Sequence, residues 1–187
     1  MSHPTDRART PAPLTKKLGE LYELINGIEI AMFTTRRPDG HLVSRPMATQ
    51  TQAEGSDLWF VTNIESHKLD ELEFDPHVNL AYYRDRTREW VSVSGTATVS
   101  QDRRVIHELY QKDWRGWFGD EGGERDGGPD DPRLALISVD VESVLYLKVD
   151  KPQPLVLFEV AKGMVTGTPP KVGVERQVSS EEIDRGR

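Results

Sequence analysis

The chain has 187 residues, 36% of them hydrophobic and 29% charged, which suits one domain with a substantial core. Its net charge of −7 disfavours nucleic acid and anionic membranes as general partners, so an anionic ligand would need a local basic pocket. The absence of cysteine excludes disulfides, thiolate catalysis and cysteine-held zinc or iron–sulfur centres.

Residues 1–13 are polar and carry three prolines, the composition of a flexible arm. They contain no apolar signal-peptide core, and no apolar run in the chain approaches the ~18 residues of a membrane span, so the expected location is cytoplasmic. Residues 14–26 read as an amphipathic helix, with Leu14, Leu18, Leu21, Tyr22 and Ile25 on one stripe and Gly27 in the C-terminal cap position. A hairpin follows over 28–51. Ile28, Ile30 and Met32 alternate with Glu29 and Ala31, and the stretch from Arg37 to Gly40 is a turn signal. Pro46 removes a ladder donor from the return strand, so that strand needs a free side.

Asp57 to Thr62 reads as a third strand. Residues 66–74 read as a short helix with Ser66 as N-cap, and Val78 to Tyr83 as a fourth strand. Trp90 to Ser100 alternates most cleanly, with Val91, Val93, Ala97 and Val99 on one face and Ser92, Ser94, Thr96 and Thr98 on the other. Residues 102–118 read as a second amphipathic helix, whose apolar side includes Ile106, Leu109, Trp114 and Trp117. Residues 119–133 are rich in glycine and acid, a loop of mobile composition. Leu134 to Val149 holds one or two more strands, and Leu155 to Val160 is apolar and of undetermined type. From Ala161 onward the chain reads as a polar tail. Strands do not alternate with long helices, so the expected fold is mainly β (α+β): a closed antiparallel barrel with helices at its ends.

Two basic clusters stand out from this acidic background: Ser44-Arg45-Pro46-Met47, and Thr62-Asn63-Ile64-Glu65-Ser66-His67-Lys68. The second opens a predicted helix, where free N–H groups favour an anion. Lys68 offers a point charge and Arg45 a planar fork, both suited to phosphate oxygens. Read singly, Arg45 is as readily an exposed strand residue, Lys68 a solvated helix residue, Ser66 a plain cap and His67 a surface side chain. Trp90 lies on a polar strand face, where it either covers a ring or packs half-buried. Trp114 and Trp117 are core or interface residues on the plainer reading, and ligand neighbours on the sharper one. The chain has no phosphate-binding P-loop, dinucleotide glycine fingerprint, histidine pair at metal spacing or nucleophile elbow. Any redox chemistry would therefore be a cofactor's.

Three stretches in this order resemble the pyridoxamine 5′-phosphate oxidase-like flavoproteins, and within them the general stress protein branch. They are Met32-Phe33-Thr34-Thr35 with Ser44-Arg45-Pro46-Met47, Leu58-Trp59-Phe60-Val61-Thr62 with Ser66-His67-Lys68-Leu69, and Trp90-Val91-Ser92-Val93-Ser94-Gly95. The resemblance covers roughly residues 14–160, which sets the expected domain between the arm at 1–13 and the tail at 161–187. It implies a six-stranded antiparallel split barrel with flanking helices. It also implies a homodimer with FMN, or FAD, in clefts at the subunit interface. Arg45 and Lys68 would hold the phosphate. Pro46, Met47, Ala48, Thr49 and Gln50 would run along the flavin ring, with Val61, Thr62, Ser66, His67 and Trp90 completing the contacts.

The chain departs from the oxidases at Gln50 and Glu89, where they carry basic residues. It also has no match near 145–160 to their C-terminal tryptophan and arginine. Pyridoxamine phosphate oxidation is therefore not expected. Where the stress-protein branch commonly has a tryptophan, this chain has Leu147. The function implied is a flavin-binding stress-response-type protein with oxidoreductase activity. The alternatives are a non-catalytic flavin carrier or sensor, or a split barrel that uses a deazaflavin, haem or a protein partner.

Overall fold

A computed structural model of the chain describes residues 12–50, 57–150 and 173–185, with single positions at 155, 162, 164, 166 and 167. The element order is α1 (Leu14–Ile28), β1 (Ile30–Arg36), β2 (Leu42–Ala48), β3 (Leu58–Asn63), α2 (Lys68–Phe74), β4 (His77–Arg84) and β5 (Glu89–Ser100). α3 (Arg103–Leu109), α4 (Trp114–Phe118), β6 (Leu134–Lys148), β7 (Val174–Val178) and α5 (Ser180–Asp184) follow. All seven strands form one antiparallel sheet in the order β2-β1-β4-β5-β6-β3, with β7 added on β6.

The sheet curls until its two ends meet, but it does not close. A lone bridge between Thr49 and Phe60 joins the β2 end to β3, where the sequence suggested a continuous barrel. Pro46 explains part of this. It sits opposite Met32 on the end strand β2, where a missing N–H is tolerated. The inner faces pack Phe33, Phe60, Leu80, Val93, Val139 and Tyr146 around α1. The rings of Phe33 and Phe60 meet edge-on at 5.2 Å, which ties β1 to β3 across the interior.

Several local expectations are overturned. Ile30 and Met32 are 45% and 42% exposed, while Ala31, Phe33 and Thr35 are buried. β1 is apolar on both faces, so period-2 alternation could not tell which side goes inward. Gly27 lies inside α1 rather than capping it, and a side chain there would strike the Arg84 guanidinium. Glu29 ends the helix instead, with φ 71 and ψ −52. Ser66 lies in the turn before α2. His67 takes the cap position without a side-chain bond.

The helix expected over 102–118 is two helices. Asp102 caps α3 through the Arg104 N–H, and Tyr110 leaves the helical region. The break turns Trp114 into a second core with Trp59, Ile106, Leu109, Leu134 and Leu136, and leaves Trp117 outside. Residues 134–148 form a single strand.

The 119–133 loop is anchored by a buried ion pair. Arg133 donates to Asp131 (2.7 Å) and to the carbonyls of Phe118 (2.8 Å) and Gly119 (2.9 Å). The described part of the expected C-terminal tail is folded. β7 extends the sheet, and Ser179 and Glu182 form a capping box on α5. Lys17 of α1 reaches Glu182 at 2.6 Å, so the end of the chain is clasped to its first helix. The arm at 1–11 and most of 155–160 lie outside the described residues.

Candidate functional site

The strand-to-helix region between β3 and α2 gathers the predicted cations. Arg45 points from β2 toward α2. Its Nη1 donates to Thr35 Oγ1 (2.9 Å) and its Nη2 to Glu71 Oε2 (2.8 Å). The Thr35 hydroxyl donates to the same Glu71 oxygen. Burial pushes the Glu71 carboxyl up, but the bonds from Thr35 and Arg45 outweigh it and hold the group below the usual carboxylate range. Lys68 donates to Thr62 Oγ1 at 2.8 Å. Burial lowers its pKa, the Arg45 charge lowers it further, and Glu71 offsets part of this. Two cations therefore sit within electrostatic reach of one carboxylate, a local positive excess on an acidic protein.

At the far end of β2 lies a cleft of about 400 Å³. Ala48, Thr49, Gln50 and Val61 form one side, and Trp114 and Trp117 of α4 the other. Ile25, Asn26 and Glu29, from the end of α1, complete it. Gln50 is held at both ends of its carboxamide: Oε1 accepts from Trp114 Nε1 (3.1 Å), and Nε2 donates to the Ala48 carbonyl (3.0 Å). Thr49 Oγ1 shares a 2.8 Å hydrogen bond with the Tyr82 hydroxyl, whose pKa burial pushes up to about 12. The Glu29 carbonyl accepts the Thr49 N–H at 2.9 Å.

The structure thus brings Arg45, Thr62 and Lys68 together at one end of the β2–β3 seam, and Ala48, Thr49, Gln50 and Val61 together at the other. Ser66 is half-buried in the turn beside Lys68. The His67 side chain is fully exposed and faces Asp70 at 3.6 Å. Met47 is buried in the core. Pro46 and Trp90 lie on the outer face of the sheet. Trp90 stands in register with Tyr83 and Leu147 and does not line the cleft. Ile30, Met32, Pro46, Ala81, Tyr83 and Trp90 form an apolar patch on that outer face, bordered by Thr34, Ser44, Asn79 and Ser92. Glu89 is buried and satisfied by Arg84, Thr87 and the Val149 N–H.

Three participants were not singled out from the sequence. Glu71 lies three residues after Lys68, a helical neighbour spacing that could have flagged it. The Gln50–Trp114 bond spans 64 positions and left no local signal. Nothing in the pattern marks Glu29 as the residue that takes the rare backbone conformation.

A curled antiparallel sheet that fails to close, with a cation pair and a cleft along one seam, is a split barrel. A family model of pyridoxamine 5′-phosphate oxidase-like proteins matches residues 16–171, and the chain belongs to that family. It is 38% identical over 181 residues to protein bli-3 of Neurospora crassa, covering 95% of this chain and 87% of that one. Among solved structures, a protein assigned as general stress protein 26 from Jannaschia sp. CCS1 superposes with a TM-score of 0.67. The identity is 22%, over 88% of this chain and 99% of the other. The general stress FMN/FAD binding protein of Xanthomonas citri superposes with a TM-score of 0.56 at 24% identity, over 69% and 87% of the two chains.

Proposed function

We propose that the protein is a flavin-binding protein of stress-response type that takes FMN in preference to FAD. Arg45 and Lys68 would hold the phosphate, and the seam at 46–50 and 61–62 would take the ribityl chain and ring. The observation that carries this reading is the cation pair: two basic side chains share a partly buried site with one carboxylate, on a chain of net charge −7. Gln50 lies five residue steps beyond Arg45 along extended chain, roughly 17 Å at the usual rise. A ribityl phosphate joined to a three-ring system spans a distance of that order. Names of structural relatives that include FMN or FAD binding agree with it.

A titration of the purified chain with FMN, followed by flavin fluorescence, tests the reading. Saturable quenching at about one FMN per chain is the expected result. Absence of binding at micromolar FMN would remove the reading. Oxidation of NADH or NADPH by the FMN-loaded protein would then make it an oxidoreductase, and its absence would make it a carrier or sensor.

The outer apolar face would pair two copies, with Trp90 near the ring of the second site. Exposed Ile30, Met32 and Tyr83 on a continuous sheet surface support this. A single-copy mass in sedimentation would count against it.

A further inference from the structure

We propose that the cleft between α1 and α4 seats a second planar aromatic molecule, one that carries no negative charge, stacked on Trp117. This extends the flavin reading, which places a ring against Ala48 to Gln50, and it names the class of partner such a ring would meet. Four observations support it.

The first is the split of the predicted helix. Trp114 is 2% exposed and Trp117, three residues later, is 84% exposed. Both line the same cleft, one as its wall and one at its rim. An indole in that position offers a stacking face that none of the described residues covers. The second is the fixed carboxamide of Gln50. Bonds at both ends leave it no freedom to rotate, so it presents an oriented polar point in the cleft wall.

The third is charge. Among the described residues, Glu29 and Asp113 line the cleft and no lysine, arginine or histidine does. The two ends of the seam are thus opposite in sign: cationic at Arg45 and Lys68, acidic beyond Gln50. An anionic substrate such as a pyridoxamine phosphate would be repelled at this end, while a neutral or cationic ring would not. The fourth is Glu29 itself. At φ 71 and ψ −52 it occupies a strained region that glycine would enter freely. A residue with a carboxylate stands there, at the rim of the cleft.

The test uses three size-matched probes on the flavin-free chain at low salt, read by tryptophan fluorescence: N-methylquinolinium, quinoline and quinoline-4-carboxylate. The cation and the neutral probe should bind, and the carboxylate roughly tenfold more weakly. Trp117→Ala should weaken the cation by about tenfold, whereas Trp117→Phe, which keeps a ring, should retain most of the affinity. Glu29→Gln with Asp113→Asn should bring the cation and the carboxylate to similar affinity. Equal binding of the three probes to the unaltered chain would overturn the proposal, as would an unaffected Trp117→Ala.

The titration is then repeated with FMN present. Retained probe binding supports a second seat, while complete displacement would mean that the cleft belongs to the flavin ring and would overturn it. If FMN fails to bind but the probes discriminate, the flavin reading falls and this one stands. If FMN binds and the probes do not discriminate, the reverse holds.

Discussion

Replacing Arg133 with methionine is expected to lower the stability of the fold by about 3–5 kcal/mol, the usual result of leaving a buried charge without its partner. The Arg133 side chain is 2% exposed and that of Asp131 fully buried, and they meet at 2.7 Å. Asp131 also accepts the N–H groups of Gly127 (2.7 Å) and Arg133 (2.8 Å). Without the guanidinium, that carboxylate stays in the interior with only those two donors.

Stability should depend on pH for the same reason. Bonds from the Arg133 side chain hold the Asp131 carboxyl far below its ordinary range, against the opposing effect of burial. A depressed native pKa stabilises the fold above the unfolded value of about 4. That contribution then erodes as acid carries the pH down toward the native value. Urea denaturation at neutral pH measures the substitution, and a loss below about 1 kcal/mol would show that the pair is not structural. The consequence reaches the cleft, because Arg133 grips the carbonyls of Phe118 and Gly119 at the end of the helix that carries Trp117.

The second large effect concerns the cation pair. Arg45→Ala with Lys68→Ala should weaken FMN binding by ~10-fold or more, since charge-assisted hydrogen bonds contribute about 1.5–3 kcal/mol each. Riboflavin, which lacks the phosphate, should lose little, so the double variant should bind the two flavins with similar affinity. Unchanged FMN affinity would remove the phosphate assignment, and an equal loss for riboflavin would convert it into a general disturbance of the site. Glu71 complicates the double variant, because its carboxylate loses Arg45 and Lys68 and keeps only the field of Arg37. Adding Glu71→Gln removes the stranded charge. It should recover stability without restoring the preference for FMN.

The strands were legible wherever one face was plainly apolar. β5 alternates as its residues suggest because, beyond Trp90, its outward side is serine and threonine. β1 was not, because Ile30 and Met32 are as apolar as the residues that face inward, and only packing against Phe60 decides between them. The helix break at Tyr110 was hidden for a related reason. Tyr110, Trp114 and Trp117 fall on one stripe of an ideal helix, and their separation depends on the second core beneath α3 and α4. The end of the chain looked too polar to pack, but β7 joins by main-chain bonds, α5 by the Lys17–Glu182 ion pair, and single apolar residues, Val178 and Ile183, enter the core without an apolar run.

At the candidate site, Arg45 and Lys68 were found from residue type and order. Their restraint by Glu71, Thr35 and Thr62 was not. Those contacts depend on how far a side chain reaches across the seam, and spacing alone carries no such information.

The unclosed seam has one more consequence. β2 and β3 end the sheet, so beyond the single Thr49–Phe60 bridge their facing edges do not pair with each other. A guest lying along that gap is met by peptide N–H and C=O groups, which every residue but proline supplies alike. The guest then places little demand on the side chains at 46–49, whose constraints come from the fold: Met47 fills the core and Thr49 bonds Tyr82. Substitutions there that respect the core could leave the same guest in place, with inheritance carried by the shape of the gap rather than by the letters that line it.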